Sequence, residues 1–260
     1  MCLIVLAYKA HPRYPLVVAA NRDEFYERPT EPAHFWADAP RLLAGRDLRA
    51  GGTWLGITLS GRFAAVTNYR DPHERRSDAR SRGELVSGFL TSGPRPREFV
   101  ETIAGRAGEY NGFGLFVADS SELCFFSNKA PLSAPAEGMR TLGAGVYGLS
   151  NHLLDTPWPK VERSKAALQR YLEHDMLCAD DLLELLLDRR VARDECLPRT
   201  GMGRAWERVL SPIFVQTQRY GTRSSTALLV DRDERAVFKE KSFGANGEET
   251  STVVREFRLG

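Results

Sequence analysis

Met1-Cys2-Leu3-Ile4-Val5-Leu6-Ala7-Tyr8 and Leu16-Val17-Val18-Ala19-Ala20-Asn21-Arg22-Asp23-Glu24-Phe25 are two apolar runs of strand length. Lys9-Ala10-His11-Pro12-Arg13-Tyr14-Pro15 between them carries two prolines and reads as a turn. The pattern predicts an opening β-hairpin. In an antiparallel pair the start of one strand lies beside the end of its partner. Cys2 is therefore expected next to Asn21-Arg22-Asp23, which joins a thiol and a chain amino group to an arginine and a carboxylate. Such an arrangement suits chemistry better than packing, and the rest of the chain can be read outward from it.

Beyond the hairpin, Glu27-Arg28-Pro29-Thr30-Glu31-Pro32 reads as an extended, proline-stiffened segment. Strand-like runs follow at Leu42–Asp47, Gly51–Leu59 and Arg62–Tyr69, the last two joined by Ser60-Gly61 in the clearest hairpin pattern of the chain. The charged residues 73–82 are expected to form a solvated loop. Ser81 and Glu84 match the spacing of a capping box and predict a helix over 83–91, with a second near 97–107. Phe113–Ala118 and Leu123–Ser127 flank an Asp119–Glu122 turn, and Gly145–Asn151 reads as a short strand. Helices are expected over 160–174, after Pro157-Trp158-Pro159, and over 180–190. Residues 192–205 look irregular. Ile213–Val215, Thr226–Val230, Ala236–Lys241 and Thr252–Phe257 complete the set as strands. Runs of strands alternating with runs of helices predict an α+β fold with mostly antiparallel sheets, two of them packed face to face with helices outside.

The chain has 260 residues, 42% hydrophobic and 27% charged, with 36 basic and 34 acidic side chains and a formal net charge of +2. These are ordinary globular values, and the length suffices for one large domain over 1–260. The charge balance gives no electrostatic case for a nucleic-acid partner. Four dispersed cysteines do not form a secreted disulfide framework or a zinc pattern, and the histidines show no metal spacing. There is neither a signal-peptide pattern nor an apolar run long enough to span a bilayer, so a cytoplasmic location is the expectation.

Four groups of residues carry the chemical signal. Cys2 becomes N-terminal if Met1 is removed, and its own α-amine, with a pKa near 7.7–8.0, can then act as base. Asp23 and Arg22 can hold the amine or thiol and add positive potential. Asn68 and Asn151 each end a strand, where an amide can donate to an oxyanion. Arg223, among small polar residues in Tyr220–Thr226, can bind a carboxylate or an anionic intermediate. Each has a plain structural alternative when taken singly: a small buried strand residue, a charged loop, a turn asparagine or a surface β-turn. His152 lies beside Asn151, and Trp54 in Gly51-Gly52-Thr53-Trp54 reads as core or pocket wall.

In combination and order, Cys2, Asn21-Arg22-Asp23-Glu24, Gly51-Gly52-Thr53-Trp54-Leu55-Gly56, Thr67-Asn68-Tyr69-Arg70, Ser150-Asn151, Pro157-Trp158-Pro159-Lys160 and Gly221–Thr226 resemble the NRDE family, that of Transport and Golgi Organisation protein 2. That family in turn resembles N-terminal nucleophile (Ntn) hydrolases of the choloylglycine hydrolase and penicillin V acylase type. The resemblance implies an αββα sandwich and a Cys-dependent hydrolase of a linear amide or related acyl bond. On it, Cys2 is the nucleophile after loss of Met1, Asp23 orients it, Asn68 and Asn151 serve the oxyanion and the α-amino group, and Arg223 completes the catalytic set. Asn21, Arg22, Trp54, Tyr69 and His152 are the expected substrate-binding residues. The acylases typically carry Arg-Asn-x-Asp, whereas this chain has Ala20-Asn21-Arg22-Asp23. A two-residue shift along a strand keeps the face, so Arg22 is expected to reach the same region by another path. Family members have been linked to haem trafficking and to acyl-CoA or acyl-lipid handling, which implies an alternative: binding of haem or an acyl group in the same cleft without turnover. Hydrolysis of this kind requires no cofactor, and the expected partner is a small-molecule or acyl substrate.

Overall fold

The computed structural model describes residues 2–73, 76–130 and 138–260. Met1, whose removal the sequence reading invokes, and part of the charged 73–82 loop lie outside those residues. The opening hairpin forms as expected: β1 (Cys2–Tyr8) pairs antiparallel with β2 (Leu16–Phe25), and Cys2 lies opposite Arg22. The turn is held by Lys9 N–H donating to the Pro15 carbonyl at 2.7 Å and by His11 Nδ1, which accepts from the N–H groups of Arg13 and Tyr14.

Every residue of β1 is buried, because the strand is sandwiched within its sheet and covered on both faces. Continuous apolar runs rather than alternation are what such a position requires. Ile4, Leu6, Val18 and Ala20 face the second sheet, while Leu3, Val5, Val17 and Ala19 face helices. The first sheet runs β10-β1-β2-β11-β12-β13, with β10 at Gly145–Leu149, β11 at Tyr220–Val230, β12 at Arg235–Phe243 and β13 at Glu249–Arg258. The second runs in sequence order: β3 (Thr30–Trp36), β4 (Ala39–Asp47), β5 (Leu55–Thr58), β6 (Phe63–Asn68), β7 (Phe113–Ala118), β8 (Leu123–Ser127) and β9 (Met139–Leu142). All the strand pairings in both sheets are antiparallel.

The two sheets meet over one apolar core containing Phe63, Phe116, Phe125 and Phe238, all essentially inaccessible. Burial of each such ring is worth roughly 1.5–3 kcal/mol. Helices α1 (Gly83–Leu90) and α2 (Pro96–Ala104) cover the outer face of the second sheet through Leu85, Val86, Phe89, Val100 and Ile103. Helices α3 (Pro159–Tyr171) and α4 (Ala179–Leu185) cover the first through Val161, Leu168, Leu182 and Leu183. The order of layers is α, β, β, α. The contact of α3 with β10 is very close: a Cβ on Gly148 would stand 2.6 Å from Val161 Cγ1.

Several local expectations need correction. The capping box at Ser81 and Glu84 does not form. Arg82 takes the N-cap position of α1 in helical geometry, and Glu84 Oε1 instead accepts from Tyr110 OH and pairs with Arg80, each at 2.6 Å. The segment after Glu27 is not merely extended, since β3 begins at Thr30, and β9 was also not anticipated. Ile213–Val215 is not a strand. Its backbone groups are spent one by one on Asp188, Thr222 and Asn21 rather than on a ladder. The irregular stretch from 192 leads into a short helix, α5 (Arg204–Val209). Tyr220–Thr226 is the start of β11 and not a surface turn.

Candidate functional site at the end of the opening hairpin

The Cys2 end of β1 opens on a cavity of about 750 Å³ lined by Cys2, Arg22, Asp23, Trp54, Asn68 and Arg223, among others. A second cavity of about 640 Å³ adjoins it, with Asn68, Glu24, Arg28, Arg82 and Asn111 in the wall common to both. Tyr69 and Asn151 line this second space.

Each side chain is delivered by a different device. Cys2 and Arg22 are cross-strand partners on β1 and β2. Asn68 closes β6 on the opposite sheet. Asn151 follows β10 in a left-handed conformation, φ 57°, which asparagine tolerates better than most residues. From there its Oδ1 accepts from the Cys2 N–H at 3.3 Å and its Nδ2 donates to the Asn68 carbonyl at 2.9 Å. One amide therefore ties the start of β1 to the end of β6 across the gap between the sheets. Arg223 is the extra residue of a β-bulge: Thr222 pairs with Asp23 and Ser224 with Arg22, leaving Arg223 unpaired between them. A bulge re-aims a side chain that regular pairing would hold in line.

Asp23 is buried, and its Oδ1 accepts from Thr222 Oγ1 at 2.8 Å. Its backbone carbonyl accepts from Tyr220 OH at 3.0 Å. Lys160, on α3, places Nζ 4.0 Å from Asp23 Oδ2. Burial raises the Asp23 carboxyl above the ordinary range, opposed first by the positive charge of Lys160. Burial pushes Lys160 down to about 8, opposed by Asp23. Burial also raises the Cys2 thiol. The positive charges of the chain's amino terminus and Arg22 act the other way, as does the Asp23 backbone N–H, while the Asp23 carboxylate adds to the rise.

Arg22 donates to Thr30 Oγ1 at 3.3 Å and lies 3.9 Å from both Glu24 and Asp47. It thus enters the larger cavity already balanced by two carboxylates. Arg223 also has internal duties, because its Nη1 stands 3.0 Å from the carbonyls of Phe25, Tyr26 and Arg28. The Asn21 expectation is corrected. Asn21 points to the helical layer, away from the cavities, where Nδ2 donates to the Leu186 and Ile213 carbonyls and Oδ1 accepts from Ser225 Oγ. Strand alternation explains this, since Asn21 sits opposite Leu3 while Arg22 sits opposite Cys2. His152 lines neither cavity. Its Nε2 is 2.8 Å from Tyr69 OH and its Nδ1 is 2.9 Å from Thr156 Oγ1, so both ring nitrogens are occupied within the protein.

Three residues close to the site had no role assigned from sequence: Lys160, Thr222 and Arg70. Arg70 forms a buried pair with Glu207 of α5 at 2.5 Å, and its guanidinium lies 4.6 Å from the centre of the Trp158 ring. Lys160 did leave a signal. A lysine in the first turn of a helix opposes the helix dipole, so its place there calls for another partner. Among the described residues no three His, Cys, Asp or Glu side chains are grouped to hold a metal ion, and no helix is long and apolar enough to cross a membrane.

A family profile described as Transport and Golgi organisation 2 matches residues 1–245. The chain belongs to the Transport and Golgi organisation 2 family. The bovine homolog of Transport and Golgi organization protein 2 is 37% identical over 280 residues, covering 100% of this chain and 99% of its own. The human homolog is 36% identical over 262 residues, 93% of each chain, and the Drosophila melanogaster protein 28% over 289 residues, all of both. The Transport and Golgi organisation 2 match spans every residue named at the cleft and ends before β13. Among solved structures, the C2A mutant of conjugated bile acid hydrolase from Clostridium perfringens aligns with TM-score 0.47 and 8% identity over 100% of this chain and 97% of that one. A Caenorhabditis elegans ortholog of N-acylethanolamine-hydrolyzing acid amidase aligns with TM-score 0.46 and 12% identity over 88% and 92%.

Proposed function

We propose that this protein is an Ntn-type cysteine hydrolase that cleaves a linear amide or related acyl bond, with Cys2 as nucleophile once Met1 is removed. The observation that carries the reading is the convergence on one cavity of the Cys2 thiol, the Asp23 backbone N–H directed at it, and Asn68, while Asn151 holds the Cys2 nitrogen. In the reaction the α-amine takes the proton from Sγ, and sulfur bonds to the substrate carbonyl carbon. The carbonyl oxygen becomes an oxyanion, to which the amide of Asn68 at the cavity wall can donate. Collapse breaks the C–N bond, and the leaving nitrogen takes the proton held by the α-ammonium. Water then attacks the thioester, the C–S bond breaks, and the thiol recovers its proton as the carboxylic acid leaves. Arg22 and Arg223 supply positive potential at the cavity wall for an anionic part of the substrate.

Two measurements test this. Intact mass of protein made in cells should show loss of Met1, and retention of Met1 would argue against the mechanism. A thiol-directed acylating probe should label residue 2 in the wild type and leave Cys2→Ala unlabelled at that position. Labelling confined to other cysteines would sink the assignment.

A second reading has one observation in its favour. Burial raises the thiol, and a thiol kept protonated is a poor nucleophile. On that reading the same pair of cavities binds an acyl group or haem without turnover. Saturable binding that survives Cys2→Ala, with no substrate consumed, would favour it. For haem, His152 would first have to surrender one of its two internal hydrogen bonds.

A further inference from the structure

We propose that Lys160 is a positioning residue for the Cys2 site, its buried ammonium balancing the Asp23 carboxylate and so setting the field in which the thiol reacts. The inference rests on the reading of Cys2 as the reactive group. Lys160 is 2% exposed and lines neither cavity, so it cannot touch a substrate held there. Among the described residues its Nζ makes no hydrogen bond, and its nearest opposite charge is Asp23 Oδ2 at 4.0 Å. Its place in the first turn of α3 adds no help from the helix dipole.

As a stabilising device this pair is poor. A buried ion pair without tight hydrogen bonds does not recover the desolvation of its members, and two apolar side chains would serve the fold at least as well. What the pair does have is position. Asp23 adjoins Cys2 through its backbone N–H, and its negative charge disfavours the thiolate. A cation fixed behind that carboxylate offsets the effect without occupying space in the cavity. The charged and titratable groups that face Lys160 are Asp23 from β2, Cys2 from β1, Arg70 after β6 and Arg163 on α3 itself. Thr222 and Tyr220 of β11 face Asp23 from its other side. Burial brings Lys160 down to about 8, so the balance is lost on the alkaline side of neutrality.

The test is the pH dependence of iodoacetamide alkylation at Cys2 between about pH 6 and 10, read by peptide mass mapping so that Cys178 and Cys196 do not interfere. Below about pH 8, where Lys160 is charged, Lys160→Met should slow alkylation about tenfold, and the gap should close above that pH. Asp23→Asn should move the profile downward, and the double variant Asp23→Asn/Lys160→Met should return it to the wild-type position. Lys160→Arg should match the wild type below about pH 8, where Lys160 is charged, and alkylate faster than the wild type above it, where only the arginine keeps its charge. If Lys160→Met does not fold, the comparison of Asp23→Asn with the double variant still decides. A downward shift present in the first and absent from the second supports the balance, whereas equal profiles overturn it. Unshifted profiles in both single variants also overturn it. Alkylation needs only the thiol, so a protein that shows these shifts but turns over no amide would retain the Lys160 assignment and lose the hydrolase one.

Discussion

At the scale of single residues, Asn151 concentrates more of the site's geometry than any catalytic group. It joins β1 to β6 through one amide and holds a left-handed backbone to do so. Asn151→Ala should cost roughly 2–4 kcal/mol, from two lost hydrogen bonds and a left-handed alanine. Asn151→Gly should recover the backbone part alone. Urea denaturation of the two variants separates the contributions, and equal losses would show that the left-handed backbone costs nothing. Asn21 provides a contrast. Asn21→Ala strands two buried carbonyls and a serine hydroxyl, for a loss of roughly 2–3 kcal/mol, but it should leave acylating-probe labelling of folded protein at Cys2 unchanged. A large fall in labelling would return Asn21 to the binding set.

At the scale of elements, the bulge in β11 links a strand irregularity to the turn after β2. Arg223 leaves the ladder there and gathers the carbonyls of Phe25, Tyr26 and Arg28. Arg223→Ala should loosen that turn by about 1–2 kcal/mol. Hydrogen exchange at the Arg28 amide should rise roughly 5–30-fold, while β12 stays protected. Helix starts were legible in the sequence: α1, α2 and α3 begin within a residue of expectation because their proline or glycine borders are local facts, while α4, which has no such border, begins at 179 but ends at 185 rather than 190. β3 was hidden by Pro32, which an edge strand tolerates, and β9 by its four-residue length. Ile213–Val215 has strand composition but lies buried under β2 and β11, where long-range partners take its backbone groups. The same distinction runs through the site. Cys2, Arg22 and Asp23 were legible because a hairpin juxtaposes them. Lys160 left only the signal of a lysine in a first helical turn, and its partner could not be named because Asp23 lies in a remote part of the chain.

At the scale of the whole molecule, the buried charges leave a mark on stability. The folded state holds Lys160 at about 8, below its ordinary 10.5, so between those values the unfolded chain binds more protons. The contribution of this group to stability therefore rises as pH goes from about 8 toward 10.5, and its burden is fully present below 8. The difference in unfolding free energy between wild type and Lys160→Met should shift in favour of the wild type across that window. Denaturation curves on both sides of it provide the check, and a pH-independent difference would mean that Lys160 titrates as an ordinary surface lysine.

The start of β1 opens on the cavity, and the residue that grips its first amide arrives 149 positions later. During synthesis Cys2 leaves the ribosome among the first residues and Asn151 much later, an interval of about 7–30 s at ordinary elongation rates. A methionine-trimming enzyme needs a free, extended end. During that interval the Cys2 end of the chain is not yet gripped by Asn151, and trimming of Met1 then would act on an end free of its later partner.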